Sequence, residues 1–189
     1  MNTLLLRFCY IAVGLFIAIQ STYAEKSAES LDAHVHGLSE LTIAMDTKTI
    51  ELQLISPAMN LVGFEYKASS KHDIAAVKQA ELLLEQQDSL FLIAGGDCEH
   101  LSTSIDSSDL LESDNHHDDH EKHDDQGETH SEMVASYSFT CKDTSKLSSI
   151  KVALFASFPG IHKINTLWVT PSKQGSSMLS AKNSTINLK

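Results

Sequence analysis

The stretch Leu38-Ser-Glu-Leu-Thr-Ile-Ala-Met-Asp-Thr-Lys-Thr-Ile-Glu-Leu-Gln-Leu-Ile-Ser56 decides the fold class of this 189-residue chain. Leu41, Ile43 and Met45 alternate with polar or small neighbours. After Asp46-Thr47-Lys48 the alternation resumes as Ile50, Leu52 and Leu54 against Glu51 and Gln53. A period of two places one set of side chains on one face of a strand. Two such runs across a tight turn therefore predict an antiparallel hairpin with one buried face. Pro57 stops the second strand, and Ala58 to Tyr66 is expected to continue as an irregular extended stretch.

Further along, Ser70-Lys71-His72-Asp73 has the serine and acid spacing of a helix start. Ile74, Val77, Ala80, Leu83 and Leu84 then recur at helical intervals, which predicts a helix over about 71–87. Gly95-Gly96 breaks the chain before Cys98. Met133 to Lys142 and Ile150 to Ala156 read as a second hairpin, followed by Pro159-Gly160 and a mixed segment to Val169. A shift of 100 residues sets Ile50, Leu52 and Leu54 on Ile150, Val152 and Leu154, the pattern of an internal duplication. The expected architecture is α+β: two β-rich halves with a pseudo-two-fold repeat, antiparallel strands and one main helix.

Between the halves runs Glu112 to Glu132, with nine carboxylates, one lysine and five histidines: His116, His117, His120, His123 and His130. It has no apolar residue to offset the entropy of ordering, so residues 112–130 are expected to form a disordered loop. Imidazole nitrogens and carboxylate oxygens together suit zinc and neighbouring metals. The spacing of His116, His117, His120 and His123 would let an ion gather several rings on one side, as weak and exchangeable sites. A solvated acidic linker is the plain alternative.

The N-terminus has the form of a secretory signal peptide over 1–24: Arg7, an apolar run from Phe8 to Ile19, and Thr22-Tyr23-Ala24 before Glu25. That run is shorter than the ~20 residues a spanning helix needs, so no stable membrane anchor is expected. Residues 25–189 then form a single exported domain. It retains Cys98 and Cys141, which in an oxidising compartment read most simply as a disulfide, with a thiolate zinc site around Cys98 and His100 as the alternative. The net charge of −11 lacks the basic clusters that phosphate contacts need and argues against a nucleic-acid partner.

His34-Val35-His36 is the strongest ordered metal candidate, because residues i and i+2 of an extended segment point to one side. Glu65 lies between Phe64 and Tyr66. His72 stands at the helix start, where the dipole disfavours imidazolium. His100 follows Cys98 closely enough to reach the same region, and His162 reads as a surface histidine. No G-x-S-x-G, H-E-x-x-H or Walker pattern is present, so no catalytic residue is assigned.

Ala33-His34-Val35-His36-Gly37, Glu40-Leu41, Leu61-Val62-Gly63-Phe64-Glu65, Cys98, the histidine-rich insert and His130-Ser131-Glu132 leading to Cys141 occur in a telling order. In that order the chain resembles the zinc-regulated periplasmic zinc-binding proteins of Gram-negative bacteria from about Ala33 to its C-terminus. The resemblance implies a soluble periplasmic protein, without enzymatic activity, that binds Zn2+ and assists zinc uptake. Its implied partner is the solute-binding protein of an ABC-type zinc importer. His34, His36, Glu65 and His130 match the family's motif residues, and Cys98 and Cys141 its cysteine pair. Tyr66 stands where the family usually has histidine, which directs attention to His72 as a substitute. A copper or nickel buffer, or an interaction protein with an acidic solubilising loop, are the competing readings.

Overall fold

The computed structural model describes residues 35–111 and 131–188. Residues 1–34, with the expected signal peptide 1–24 and the candidate His34, the run 112–130 and Lys189 lie outside the described residues.

Among the described residues the chain forms nine strands and four short or medium α-helices. They are β1 (Leu38–Met45), β2 (Thr49–Pro57), α1 (Ala58–Val62), α2 (Lys71–Leu84), α3 (Gln87–Leu90), β3 (Phe91–Ala94), β4 (Cys98–Asp106), β5 (Glu132–Cys141), β6 (Ser149–Val152), α4 (Leu154–Ser157), β7 (Lys163–Val169), β8 (Gln174–Leu179) and β9 (Thr185–Asn187). Two sheets result, one ordered β4-β5-β2-β1-β7-β8 and a smaller one ordered β3-β6-β9. Every ladder is antiparallel except β1 with β7, which is parallel. The structure is thus mostly β, with one helix of substantial length, as the α+β expectation required.

The alternation of the opening stretch does what its period predicts. Leu41, Ile43, Met45, Ile50, Leu52 and Leu54 are buried, while Glu40, Thr42, Ala44, Glu51 and Gln53 face outward. Met133, Ala135, Tyr137 and Phe139 of β5 extend the same buried face. Val77, Ala80 and Leu84 of α2 join that core, as do Phe91, Ile150, Val152 and Ile186 of the small sheet. At roughly 1.5–3 kcal/mol for each large aliphatic or aromatic side chain removed from water, this one contiguous cluster dominates the fold's stability. Tyr137 ties the layers together. Its hydroxyl donates to the Leu84 carbonyl at 2.8 Å, and its ring meets Phe91 edge to face at 4.9 Å.

Three local expectations are revised. The helix of 71–87 ends at Leu84, with Ser70 Oγ accepting the Asp73 amide at its start. Ala58 to Val62 is helical rather than extended: Pro57 precedes its first turn, and Gly63 ends it in the left-handed region. β5 and β6 do not form a hairpin, since β5 lies between β2 and β4 while β6 pairs with β3 and β9. Alternation identifies a strand but not its neighbour. The shift of 100 residues sets β2 on β6, which lie in different sheets.

The Cys98–Cys141 disulfide is formed between register partners of β4 and β5. It closes the end of that ladder opposite to Asp106 and Glu132, from which the chain departs toward and returns from residues 112–130. The cysteine pair therefore staples the far end of the ladder. The described residues that flank 112–130 are held by other contacts.

Candidate metal centre

Those contacts converge on one end of the large sheet. β1 begins there at Leu38, and its parallel partner β7 begins there at Lys163. Because β2 and β5 run antiparallel, Pro57 ends β2 opposite Glu132, where β5 starts. Short backbone excursions from these strand ends can thus meet although they lie far apart in sequence.

Gly37 is the junction. Its φ of +86° is readily adopted by glycine, and it turns the chain into β1. Its amide donates to Asn60 Oδ1 at 2.6 Å, while its carbonyl accepts both the His162 and Lys163 amides, at 2.8 and 2.9 Å. Asn60 is buried on α1 and completes the lock by donating from Nδ2 to the Leu38 carbonyl at 2.9 Å. Ser39 and Ser56, also buried, bond to each other at 2.8 Å beside it. A buried polar network of this kind keeps one geometry because breaking any member strands the rest.

The lock fixes the residue before it. His36 Nε2 stands 3.2 Å from Glu65 Oε1, with 55% of the histidine side chain exposed and only 12% of the glutamate side chain. Phe64 and Tyr66 flank Glu65, their rings stacked at 4.7 Å. Two donors sharing one tetrahedral zinc at bond lengths of ~2.0–2.2 Å sit about 3.3 Å apart, so this spacing fits a shared ion.

His162 enters the same corner. A Cβ on Gly37 would lie 2.7 Å from His162 Nδ1, so the ring rests directly on the residue after His36. It is exposed, as its sequence context suggests, but its placement beside the pair came from the fold and not from any local pattern. Among the described residues no three His, Cys, Asp or Glu side chains already converge on one point. The corner presents a two-donor pair with a second imidazole, that of His162, nearby.

The remaining candidates are distributed elsewhere. His72 lies in the first turn of α2, exposed, with Nδ1 at 3.4 Å from Asp73. His100 is on β4, its Nε2 at 2.8 Å from Thr103 Oγ1 and its ring edge to face with Phe139 at 5.6 Å. It shares an open cleft with Glu81 of α2 and with Glu85, which caps that helix. His34, His116, His117, His120, His123 and His130 lie outside the described residues. The described ends of that run are both fastened to the segment that carries Glu65. The Ala68 amide donates to the Leu110 carbonyl at 2.8 Å, and the Ala58 amide to the Ser131 carbonyl at 2.9 Å. A buried Leu110 and a buried Ser131 hold these anchors in place.

The fold and this corner define a β-rich domain whose imidazole–carboxylate pair is assembled from two distant segments. The chain belongs to the ZrgA family of zinc uptake proteins, whose sequence model matches residues 33–188. The comparison with curated proteins found no match. Among the described residues no helix is long and apolar enough to cross a membrane.

Proposed function

We propose that this protein captures zinc in the periplasm at the His36–Glu65 corner and passes it on, acting by binding and delivery and not by catalysis. The observation that carries the reading is the 3.2 Å approach of His36 Nε2 to Glu65 Oε1, two donors brought together by the Asn60–Gly37 lock. His34 and His130 would supply further donors, one being two residues before His36 and the other one residue before the anchored Ser131. His162 is a fifth candidate, added by the fold. His72 and His100 would then serve at most as separate, weaker sites.

The histidine and acid run 112–130 acts in this proposal as a collector of exchangeable zinc beside the ordered site. Support comes from its composition and from the anchoring of Leu110 and Ser131 on either side of Glu65. Export is supported by the leader-like residues 1–24 and by the disulfide. The family's role in zinc uptake supports, as the partner in this reading, the solute-binding protein of an ABC-type importer.

Calorimetric zinc titration of the chain from residue 25 tests this reading, with a His36→Ala/Glu65→Gln variant and a deletion of 115–130 alongside. The tightest site should survive the deletion and be lost in the double variant, while the weaker sites show the reverse. A tight site that persists in the double variant would remove the corner as the binding centre. Preference for copper or nickel under competition would replace the metal.

A further inference from the structure

Charge is divided along this chain in a way that neither zinc site uses. All 25 aspartates and glutamates lie at or before Asp143, and residues 144–189 contain six lysines and no carboxylate. Three of those lysines, Lys163, Lys173 and Lys182, are exposed around β8. Lys173 immediately precedes the strand in a turn closed by Thr170, whose Oγ1 accepts the Lys173 amide at 2.9 Å. Lys182 follows the strand in a turn closed by reciprocal Ser180–Asn183 bonds of 3.0 Å. Lys163 opens β7 one residue before Ile164, the partner of Leu179 at the end of β8.

β8 itself reads Gln-Gly-Ser-Ser-Met-Leu, with no charge and no proline. Among the described residues it pairs with β7 alone, which makes it an edge of the large sheet. Edge strands are normally guarded by charges, proline or bulges. The opposite edge, β4, has such guards in Glu99, Asp106 and a register shift between His100 and Ser102. β8 has none. Along its outward face Leu167, Val169 and Met178 form an apolar strip, 53%, 45% and 51% exposed. On the other face the Trp168 ring covers Gly175, where a Cβ would come within 2.5 Å of its Cζ2 atom.

We propose that the β8 edge is a docking site for an extended acidic segment of a partner protein, which joins the sheet as an additional strand. Backbone groups of β8 would continue the ladder, the apolar strip would take alternate side chains, and lysines at both ends would set the required charge. Six residues at ~3.4 Å each span about 20 Å, so acidic residues at the two ends of a short peptide reach Lys173 and the Lys163–Lys182 pair. A second copy of this chain suits the edge poorly. Antiparallel pairing of two β8 strands brings Lys173 of each beside Lys182 of the other, like charge against like. An anionic lipid surface would satisfy the lysines and leave the strand's backbone unpaired.

The chain's single tryptophan, Trp168, lies against β8 and reports on it. The experiment is a fluorescence titration of the full domain at low salt. The probe is an acetylated octapeptide with two glutamates at each end and an alternating valine–threonine centre. A saturable change is expected, at least about tenfold weaker for a lysine-ended peptide of the same centre and several-fold weaker at 0.15 M salt, where exposed charges are screened beyond ~8 Å. Lys173→Glu/Lys182→Glu should weaken binding by about tenfold, and Met178→Glu should do so without touching either turn. Equal binding of both peptides, or no response, would overturn the proposal. So would binding to phosphatidylglycerol vesicles without a peptide response, or self-association by sedimentation that the double lysine variant abolishes.

Discussion

Asn60 holds Gly37 and Leu38 at once, accepting the Gly37 amide at 2.6 Å and donating to the Leu38 carbonyl at 2.9 Å. A buried side chain on α1 thus sets the backbone on which His36 stands. Asn60→Ala leaves two backbone groups short of partners, at roughly 1–3 kcal/mol for each group that water cannot reach. Urea unfolding should show a loss of about 2–6 kcal/mol in total, and zinc affinity should fall although no candidate ligand has been changed. Unchanged zinc affinity in a folded Asn60→Ala protein would show that His36 needs no such support.

Gly37→Ala tests the other half of the lock. A side chain there meets a φ of +86° and the His162 ring, so a loss of about 1–2 kcal/mol is expected together with displacement of His162. Chemical-shift changes at the His162 ring, with α2 signals unmoved, would locate the effect.

Zinc should stabilise the fold by mass action. At a free concentration 100 times the dissociation constant, one site adds about 2.7 kcal/mol. Thermal unfolding with and without zinc reads this directly, and the increment should vanish in His36→Ala/Glu65→Gln. An increment that remains would assign the stabilisation to other ligands.

The disulfide makes a separate contribution. A closed loop of 43 residues corresponds to about 4 kcal/mol by loop entropy, commonly less in practice. Cys98→Ala/Cys141→Ala should therefore lower the unfolding midpoint while leaving the zinc stoichiometry intact, because the pair lies at the end of the β4–β5 ladder remote from Asp106 and Glu132. Loss of the tight zinc site in this double variant, or a tight site gained on reduction, would revive the thiolate reading.

Acid sensitivity follows from three carboxylates held below their ordinary value of 3.8: Asp73 by the Ser70 hydroxyl, Asp106 by the Ser108 amide and Asp143 by the Ser145 hydroxyl. Each favours the folded state once the unfolded carboxyl has ionised, and that favour is lost as pH falls from about 4 through the depressed folded values. Asp143→Asn should be less stable than the wild type at neutral pH and match it in strong acid. A gap that widens as the pH drops would contradict this sign.

The sequence made the β1–β2 hairpin and α2 legible because both rest on local periodicity. α1 escaped because five residues between Pro57 and Gly63 are too few to show a helical period. Asn60 gave no signal at all, since its burial arises only when β1 and β7 meet. The association of β1 with β7 and the true partners of β6 depend on contacts between remote segments, which alternation does not encode. His36 and Glu65 were readable as candidates from spacing and resemblance. Their contact, and the arrival of His162 beside them, are properties of the assembled sheet.

The parallel β1–β7 ladder has a consequence for the order in which the main sheet closes. The central strand Leu38–Met45 finds one of its two neighbours only after Lys163–Val169 has been made. Contacts so distant along the chain close late and slowly. Until β7 docks, β1 keeps an open edge, and β8, which pairs with β7, has no place in the sheet.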